Sequence, residues 1–498
     1  MNILLIQADQ LRRDMLGVYG NKTARTPAID RLASEGVVFD YAFTPTPICA
    51  PARASLITGK RPLNHGILVN CESGLAAGKD FTGNQATVAQ LLSERGYRST
   101  LCGKWHVGTD LTPQDCGFEG VFYPRYGYPD QHPHYQAYLK KLGVEFKLRD
   151  QMWSRRPDGS PKYCMSAVQD GPEEATVPYY LTTQAIDAVK RAAETNTPFF
   201  IRLDFWGPHV PYIVTERYAK MYDPSDIQPW PNATDDLAGK PEIQSVYKRY
   251  WGIEDFTWDE WARLVAMCYG EIALMDDQIA RLRTALAELG VADDTALFFT
   301  SDHGGMTGAH SLEDKGPYLY DEICRIPLIG YMPNSPGGKR SNALTYNMDL
   351  MPTILDLTGV NTPDDLDAVS LAPILRGERK SVRDENEPVY VEFHGHQAPY
   401  EQRMIRTRTA KYIFNVPDVD ELYDLQNDPY ELNNVVGAPA YVALLAEMRQ
   451  ILRRLLVETH DPLLTFFEGS RLPGTEDSPI RHSATGRIDW CRGEASAQ

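Results

Sequence analysis

A cysteine and an arginine near residue 50 have the spacing of a reactive site at the start of a helix. The kernel is Cys49-x-Pro51-x-Arg53. Proline suits the first turn of a helix because it lacks an N–H that this turn leaves unpaired, so we predict a helix over 52–58 that ends at Gly59. Cys49 then lies just ahead of a helix N-terminus, where backbone N–H groups and the helix dipole favour an anion. Arg53 lies one turn further on, and the pair suits a reactive side chain that faces an anionic ester.

Two polar pairs follow short apolar runs that are far apart in the chain. Asp9 and Gln10 follow the first run, and Asp302 and His303 follow a run almost three hundred residues later. Apolar runs of this kind are typical of central strands in a parallel sheet, and open α/β sheets place their ligands at the carboxyl ends of such strands. Two carboxylates, an amide oxygen and an imidazole form a mostly hard set of ligands that suits a divalent cation.

Further basic side chains follow other predicted strands. Lys104 and His106 are two apart, so in extended chain they point to the same side; the alternative is an ordinary surface loop. His209 stands between Pro208 and Pro211, which fix the backbone around it. The alternative for His209 is a turn histidine without chemistry.

The apolar pattern along the chain predicts an α/β architecture with a second, smaller unit. Residues 117–180 are rich in Tyr, Pro, Gly and His and lack a clear period, so we predict an irregular insertion near the pocket mouth. From about residue 381 short strands with turns between them predict an antiparallel sheet. The predicted divisions are a catalytic domain at 1–380, a sheet-and-helix subdomain at 381–467 and an extended tail at 468–498.

Composition limits the classes of partner and compartment. The 498 residues carry a formal charge of −17, which argues against a nucleic-acid partner and against an anionic membrane surface. The apolar run at the N-terminus is too short for a signal peptide, and no run approaches the length of a membrane span. Eight scattered cysteines without metal-type spacing are best explained as free thiols, so we expect a cytoplasmic protein.

The run Cys-Ala-Pro-Ala-Arg at 49–53, followed by Thr-Gly at 58–59, resembles the signature of the type I, formylglycine-dependent sulfatases of the alkaline phosphatase superfamily. The resemblance extends from residue 3 to about residue 435. It implies an alkaline-phosphatase-like sandwich with a mixed, mainly parallel central sheet between helices. It also implies a smaller C-terminal antiparallel sheet.

The resemblance implies a chemistry that the residues alone do not predict. In that family the cysteine, here Cys49, is oxidised to formylglycine by a formylglycine-generating enzyme. The hydrated aldehyde is a geminal diol: one hydroxyl attacks sulfur or phosphorus, and the other later loses its proton and expels the bound oxyanion. Asn70 would donate a further hydrogen bond at this site.

The same resemblance implies a metal site. Asp9, Gln10, Asp302 and His303, together with the oxygen of the modified Cys49, would hold one divalent ion.

It also assigns roles to the remaining basic residues. Lys104, Lys315 and Arg53 would neutralise the oxygens of the ester. His209 would give a proton to the leaving oxygen, and His106 would take the proton that releases the product.

Two positions depart from the common sulfatase pattern. Those enzymes carry a second acid where Gln10 stands and an asparagine where His303 stands. The Gln/His pair instead resembles the phosphonate monoester hydrolases of the same superfamily, and it makes Mn²⁺ as suitable as Ca²⁺. Lys104-x-His106, by contrast, is the sulfatase version of its loop.

These features lead to three hypotheses. The first is an arylsulfatase-type enzyme that hydrolyses small-molecule sulfate monoesters. The alternative is a phosphonate monoester hydrolase or phosphodiesterase with promiscuous sulfatase activity. The third is a non-catalytic metal-binding or scaffold protein. Assembly into a homo-oligomer is left open.

Overall fold

The computed structural model describes residues 1–75, 78–123, 125–127 and 129–472. Its strands, in chain order, are β1 Asn2–Ala8, β2 Val37–Phe39, β3 Ala42–Phe43, β4 Arg98–Lys104, β5 Phe122–Tyr123, β6 Leu148–Arg155, β7 Pro161–Gln169, β8 Phe199–Asp204, β9 Tyr212–Thr215, β10 Thr295–Ser301, β11 Leu328–Tyr331, β12 Lys339–Ser341, β13 Thr345–Tyr346, β14 Val389–Phe393, β15 Glu401–Arg406, β16 Ala410–Val416 and β17 Glu421–Asp424.

Its α-helices are α1 Pro27–Glu35, α2 Cys49–Thr58, α3 Pro62–His65, α4 Val88–Ser93, α5 Pro133–Leu142, α6 Val177–Glu194, α7 Glu216–Ala219, α8 Glu242–Trp251, α9 Trp258–Glu288, α10 Asp321–Cys324, α11 Leu350–Thr358, α12 Ala372–Leu375, α13 Val442–Glu458 and α14 Leu464–Arg471. Among these helices, none is both long enough and apolar enough to cross a bilayer.

A mixed central sheet organises the first 340 or so residues. Within the described ranges its strand order is β12-β2-β11-β10-β1-β8-β4-β5. The four central strands β4, β8, β1 and β10 are mutually parallel, whereas β11 is antiparallel to both of its neighbours. The carboxyl ends of these four central strands therefore lie side by side at one edge of the sheet.

Helices cover both faces of this sheet, because successive side chains of a strand point to opposite faces. Leu4 and Ile6 of β1 belong to a core that includes α1, α6 and α9. Ile3 and Leu5 belong to the opposite core, with α2, α4 and α11. The expected α/β sandwich with a mainly parallel sheet is confirmed.

A separate antiparallel sheet follows in the order β14-β15-β16-β17. Helices α13 and α14 pack on one of its faces. The smaller C-terminal sheet of the expected fold is thus confirmed. The domain boundaries themselves stay predictions: α14 runs past residue 468, the expected start of the tail, and 473–498 lie outside the described residues.

Two local expectations were wrong. Residues 117–180 contain helix α5 and the hairpin β6–β7, not an irregular insertion. Most side chains of β6 are at least partly exposed, so the strand lacks the alternation that would reveal it. Helix α2 begins at Cys49, three residues earlier than expected, because Pro51 is tolerated anywhere in a first turn whose N–H groups are unpaired.

Candidate active site

The site lies where the four central strands end. Asp9 follows β1, Asp302 follows β10, Lys104 is the last residue of β4 and Asp204 is the last residue of β8. All four side chains are fully buried. The parallel register therefore brings three carboxylates and one ammonium group together from positions that are up to 293 residues apart along the chain.

Helix α2 contributes the cysteine at the centre of this group. Cys49 is buried at the first position of the helix, and its Sγ is 3.8 Å from Asp9 Oδ1 and 3.2 Å from His303 Nε2. Asn70 accepts a 3.0 Å hydrogen bond from the N–H of Ala50. Its carboxamide oxygen thus satisfies one of the unpaired N–H groups of the first turn, and its amide nitrogen remains for donation.

Arg53 lies against carboxylates more than against the cysteine. Its Nη2 is 2.9 Å from Asp302 Oδ2 and 3.4 Å from Asp9 Oδ2, and its Nη1 is 3.0 Å from Asp204 Oδ2. Burial favours the neutral guanidine, but Asp302 and the other carboxylates raise the pKa of Arg53 above its ordinary value. The guanidinium is therefore permanently charged and fixes the relative positions of the three acids.

The possible metal ligands form one tight cluster. One ligand atom from each of Asp9, Cys49, Asp302 and His303 lies within 4.8 Å of the others, and all four residues are buried. His303 donates from Nδ1 to the carbonyl of Gly304 at 2.7 Å, which leaves the Nε2 lone pair facing the cluster. Burial lowers the pKa of His303, so the imidazole is neutral and able to bind a cation.

Gln10 completes the expected ligand set from an unusual backbone position. Its φ of 64° is in the left-handed region, which non-glycine residues seldom adopt. Its N–H donates to Asp302 Oδ1 at 3.1 Å, and its Oε1 accepts from Lys315 at 3.3 Å. A side chain at Gly305 would lie 2.7 Å from Gln10 Cγ, so this approach requires glycine there.

Basic side chains surround the cluster. Burial raises the pKa of Asp9, but Lys104, Arg53 and the neighbouring histidines outweigh it and hold that pKa well below its usual range. Lys104 Nζ forms an ion pair with Asp9. Lys315 Nζ is 2.6 Å from His209 Nε2 and 3.0 Å from Asp314.

Hydrogen bonds orient the two remaining histidines. His209 donates from Nδ1 to the carbonyl of Val210 at 2.6 Å, so its Nε2 accepts from Lys315. Burial, reinforced by Lys315, lowers the pKa of His209 to about 3. His106 is 2.9 Å from the carboxylate of Glu72 through Nε2, and its φ of 49° is again left-handed.

The structure thus brings together all eleven residues that were predicted for the site, although Arg53 points to acids and Asn70 accepts a bond where donation was expected. Among the described residues, the neighbours that were not predicted from the sequence include Asp204, Asp314, Glu72 and His396. Asp204 could have been found, since it ends an apolar strand just as Asp9 follows one. His396 comes from the C-terminal sheet region, and no motif marks it.

Comparisons with known proteins match this geometry. The family profile described as Sulfatase matches residues 1–360, and the profile described as N-sulphoglucosamine sulphohydrolase, C-terminal, matches residues 308–458. An arylsulfatase of Clostridium perfringens is 30% identical over 91% of this chain and 93% of its own length.

Solved structures extend the comparison. The phosphonate monoester hydrolase of Agrobacterium radiobacter is similar with a TM-score of 0.78 and 26% identity, over 92% of this chain and 95% of its own. The phosphonate monoester hydrolase of Silicibacter pomeroyi is similar with a TM-score of 0.77 and 25% identity, over 98% of this chain and 99% of its own. Family profile, relatives and fold agree: this chain belongs to the sulfatase family within the alkaline phosphatase superfamily, and it is a sulfuric ester hydrolase.

Proposed function

We propose that this chain hydrolyses sulfate monoesters of the aryl type, with Cys49, after oxidation to formylglycine, as the residue that supplies the nucleophile. The observation that carries the proposal is the burial of Cys49 at a helix N-terminus, within reach of Asp9 and His303. A formylglycine-generating enzyme would be the partner that oxidises the thiol. The modified residue supplies a hydroxyl nucleophile beside the carboxylates of the site.

A divalent ion, Ca²⁺ or Mn²⁺, fits the cluster of Asp9, Gln10, Asp302 and His303. Asp9 and Asp302 are fully buried, and the contact of Asp302 Oδ2 with Arg53 Nη2 at 2.9 Å lacks hydrogen-bond geometry, so this oxygen can still bind a cation. A bound divalent ion lowers the pKa of an oxygen nucleophile and offsets negative charge on the ester. Arg53 and the backbone N–H of Gln10 keep the Asp302 carboxylate in place for it.

The basic side chains would bind and orient the ester. Lys104 forms an ion pair with Asp9, and Lys315 forms one with Asp314. Both side chains can turn from these partners to the oxygens of a sulfate group. Asn70 Nδ2 offers one further hydrogen bond.

His209 would deliver the proton to the leaving oxygen. In the absence of an ester its imidazole is neutral, and Lys315 donates to its Nε2. The negative charge of a bound ester favours the imidazolium, because an opposite charge within a few Å raises the pKa of a histidine. As the S–O bond breaks, its electron pair goes to the leaving oxygen, which takes the proton from Nε2. His106, held by Glu72, would accept the proton of the product-releasing step.

A phosphonate monoester or phosphodiester is the second candidate substrate. The observations that favour it are Gln10 and His303 beside Asp9 and Asp302, and the similarity to two phosphonate monoester hydrolases. The proposed compartment is the cytoplasm, since the seven described cysteines are all free thiols.

Mass spectrometry and kinetics together test the proposal. We expect the peptide that contains Cys49 to be lighter by the exchange of sulfur for oxygen and the loss of two hydrogens. We expect kcat/KM to be higher for an aryl sulfate than for an aryl phosphonate monoester, and Cys49→Ala to lose both activities by orders of magnitude. Turnover of Cys49→Ala at the rate of the parent enzyme would remove Cys49 from the mechanism. A higher kcat/KM for the phosphonate would favour the second candidate.

A further inference from the structure

A cavity of about 260 Å³ shares His209 with the candidate active site. It is enclosed by the segment 205–213, the β6–β7 hairpin, the start of α6 and the middle of α9. Most of its wall is apolar, and four aromatic side chains contribute to it: Tyr126, Phe146, Phe205 and Trp206. An apolar cavity of about 150 Å³ is enough to hold a benzene ring, so this one accepts a substituted ring.

Two wall residues connect the cavity to the cations of the site. His209 lines the cavity, and its Nε2 accepts from Lys315. Tyr126 also lines the cavity, and Lys104 Nζ lies 4.2 Å from the centre of the tyrosine ring. An ester whose sulfate group lies between Lys104 and Lys315 therefore has its leaving group beside this wall.

Glu271 is an unexpected polar group in the cavity wall. It lies in the middle of α9, is 7% exposed, and its Oε2 has no hydrogen-bond partner among the described residues. A buried polar atom without a partner is costly, by about 1–3 kcal/mol, and is uncommon in folded proteins. Its other oxygen, Oε1, lies 2.4 Å from the place that a Cβ of Gly207 would occupy, so the glycine makes room for the carboxyl group.

Glu271 can act as a hydrogen-bonding group without being charged. Burial raises the pKa of Glu271 well above its usual range, and nearby Asp9 adds to the effect. A protonated carboxyl group both donates and accepts, so it can pair with a hydroxyl group of a ligand. The charge of the wall would then stay low, as an aromatic ligand requires.

We propose that the cavity is the leaving-group subsite, and that it takes a phenol ring with a second hydroxyl group, which forms a hydrogen bond with Glu271. This inference rests on the proposed function for its context, because the ring is the alcohol part of the sulfate ester. It narrows the substrate class to sulfate monoesters of dihydric phenols and similar ring alcohols. Glu271 sets specificity for the second hydroxyl group and takes no part in the bond that breaks.

Binding of the product phenol tests the subsite without turnover. Saturation-transfer NMR with 1,4-dihydroxybenzene and with phenol is carried out on the inactive Cys49→Ala protein. We expect both compounds to bind. Glu271→Met should weaken the binding of 1,4-dihydroxybenzene at least fivefold and change the binding of phenol less than twofold. Glu271→Gln, which keeps a donor and an acceptor, should restore most of the loss. Equal weakening of both phenols by Glu271→Met would overturn the role of Glu271.

A second experiment fills the cavity with a larger side chain. Leu148→Trp and Gln151→Trp place an indole in the cavity from β6, and Gln151 is exposed, so its variant folds even if the first does not. We expect each of these two variants to weaken the binding of both phenols at least tenfold. The matched control is Leu142→Trp, which adds the same ring to an exposed site on α5 outside the cavity. Unchanged binding in the two filled variants would place the phenols elsewhere.

Kinetics separate failure of the subsite from failure of the proposed function. In the active enzyme, Gln151→Trp should raise KM for 4-hydroxyphenyl sulfate at least tenfold and change kcat/KM for methyl sulfate less than twofold. An equal loss for both esters would contradict the subsite. Absence of all sulfatase activity in the parent enzyme, with phenol binding retained, would refute the proposed function and leave the phenol site standing.

Discussion

Arg53 is the residue on which the geometry of the acids depends. Its guanidinium contacts carboxylates at three strand ends. One of these, Asp204, is not among the possible metal ligands and, as an acid, cannot neutralise the charge of an ester. Asp204 also pairs with Arg202, and burial raises its pKa although both arginines oppose this. We interpret Asp204 as a positioning residue that acts through Arg53.

The first prediction concerns Asp204→Asn, which keeps the shape of the side chain and removes its charge. We expect kcat to fall about 10- to 100-fold with KM nearly unchanged, because Arg53 then holds Asp9 and Asp302 less firmly. Steady-state kinetics on an aryl sulfate measure this. The control is Asp187→Asn, an exposed acid on α6 that should leave both constants as they are. A rise in KM with kcat intact would mean that Asp204 acts on ester binding.

The second prediction concerns the cation site. Addition of Mn²⁺ or Ca²⁺ to chelator-treated protein should stabilise it, by about 4 kcal/mol at a concentration 1,000 times the dissociation constant. Asp302→Asn removes one of two carboxylates and should abolish this increment. Thermal unfolding of each protein with and without metal gives the two increments. Equal increments in parent and variant would show that the metal binds elsewhere.

The residue types of the site could be predicted far better than their contacts. A polar residue at the end of an apolar strand marks Asp9 and Asp302, and the same rule applied to β8 would have marked Asp204. The direction of the Arg53 side chain could not be predicted, because it depends on which strands are neighbours in the sheet. His396 could not be found at all, since it reaches the site from a separate sheet.

At the scale of elements, α2 is held by the turn that follows it. His65, the last residue of α3, donates from Nε2 to Ser55 of α2 at 3.0 Å and accepts at Nδ1 from the N–H of Ile67 at 3.1 Å. The bond from Ile67 requires the neutral imidazole, because a protonated ring has no lone pair at Nδ1. Burial lowers the pKa of His65 to about 3, below the ordinary value of 6.5. The orientation of the helix that carries Cys49 therefore depends on a histidine that must stay uncharged.

The third prediction is a dependence of stability on pH. Between pH 6.5 and about 3 the unfolded chain binds a proton at His65 and the folded chain does not, so stability falls as the pH falls, by about 1.4 kcal/mol per unit. The contribution is fully present above pH 6.5. In urea unfolding at a series of pH values, His65→Gln should show a shallower slope than the parent in this window. His134→Gln, at an exposed histidine, should keep the parent slope; identical slopes in all three proteins would contradict the argument.

The boundaries of the first strand followed from the sequence, whereas those of the exposed hairpin did not. The strand that ends before Asp9 lies where its apolar run predicts it, because a strand buried on both faces is mostly apolar. The β6–β7 hairpin was missed because its side chains are largely solvated. That miss has consequences for function, since the hairpin forms part of the cavity beside His209.

At the scale of the whole molecule, the C-terminal sheet packs against the segment that follows Lys315. Tyr318 and Tyr320 share a core with Val391, Phe393 and Met404 of the sheet. Beside this core, Lys411 of β16 is fully buried. Its Nζ forms ion pairs with Asp321 at 2.8 Å and Glu431 at 2.5 Å, and it donates to the carbonyl of Leu319.

The fourth prediction is that Lys411→Met loosens this connection. Removal of one partner from a buried ion pair costs about 3–5 kcal/mol, because the remaining charge has lost its counter-ion. In this variant Asp321 still pairs with Arg406 at 2.9 Å, whereas Glu431 loses its ion pair with Lys411. The penalty therefore comes mainly from Glu431. Urea unfolding should show the loss, and the KM for an aryl sulfate should rise because the segment from Lys315 to Asp321 is less firmly held.

A double substitution distinguishes this ion pair from simple packing. If the penalty comes from the unpaired carboxylate, Lys411→Met combined with Glu431→Gln should be more stable than Lys411→Met alone, since both charges are then gone. A double variant as unstable as the sum of the two single variants would assign the loss to packing. Lys190→Met, at an exposed lysine on α6, provides the control for removing a positive charge from an already acidic chain. If stability recovers in the double variant and not in the control, a buried charge pair, and not the apolar core beside it, determines how the C-terminal sheet holds Lys315 at the site.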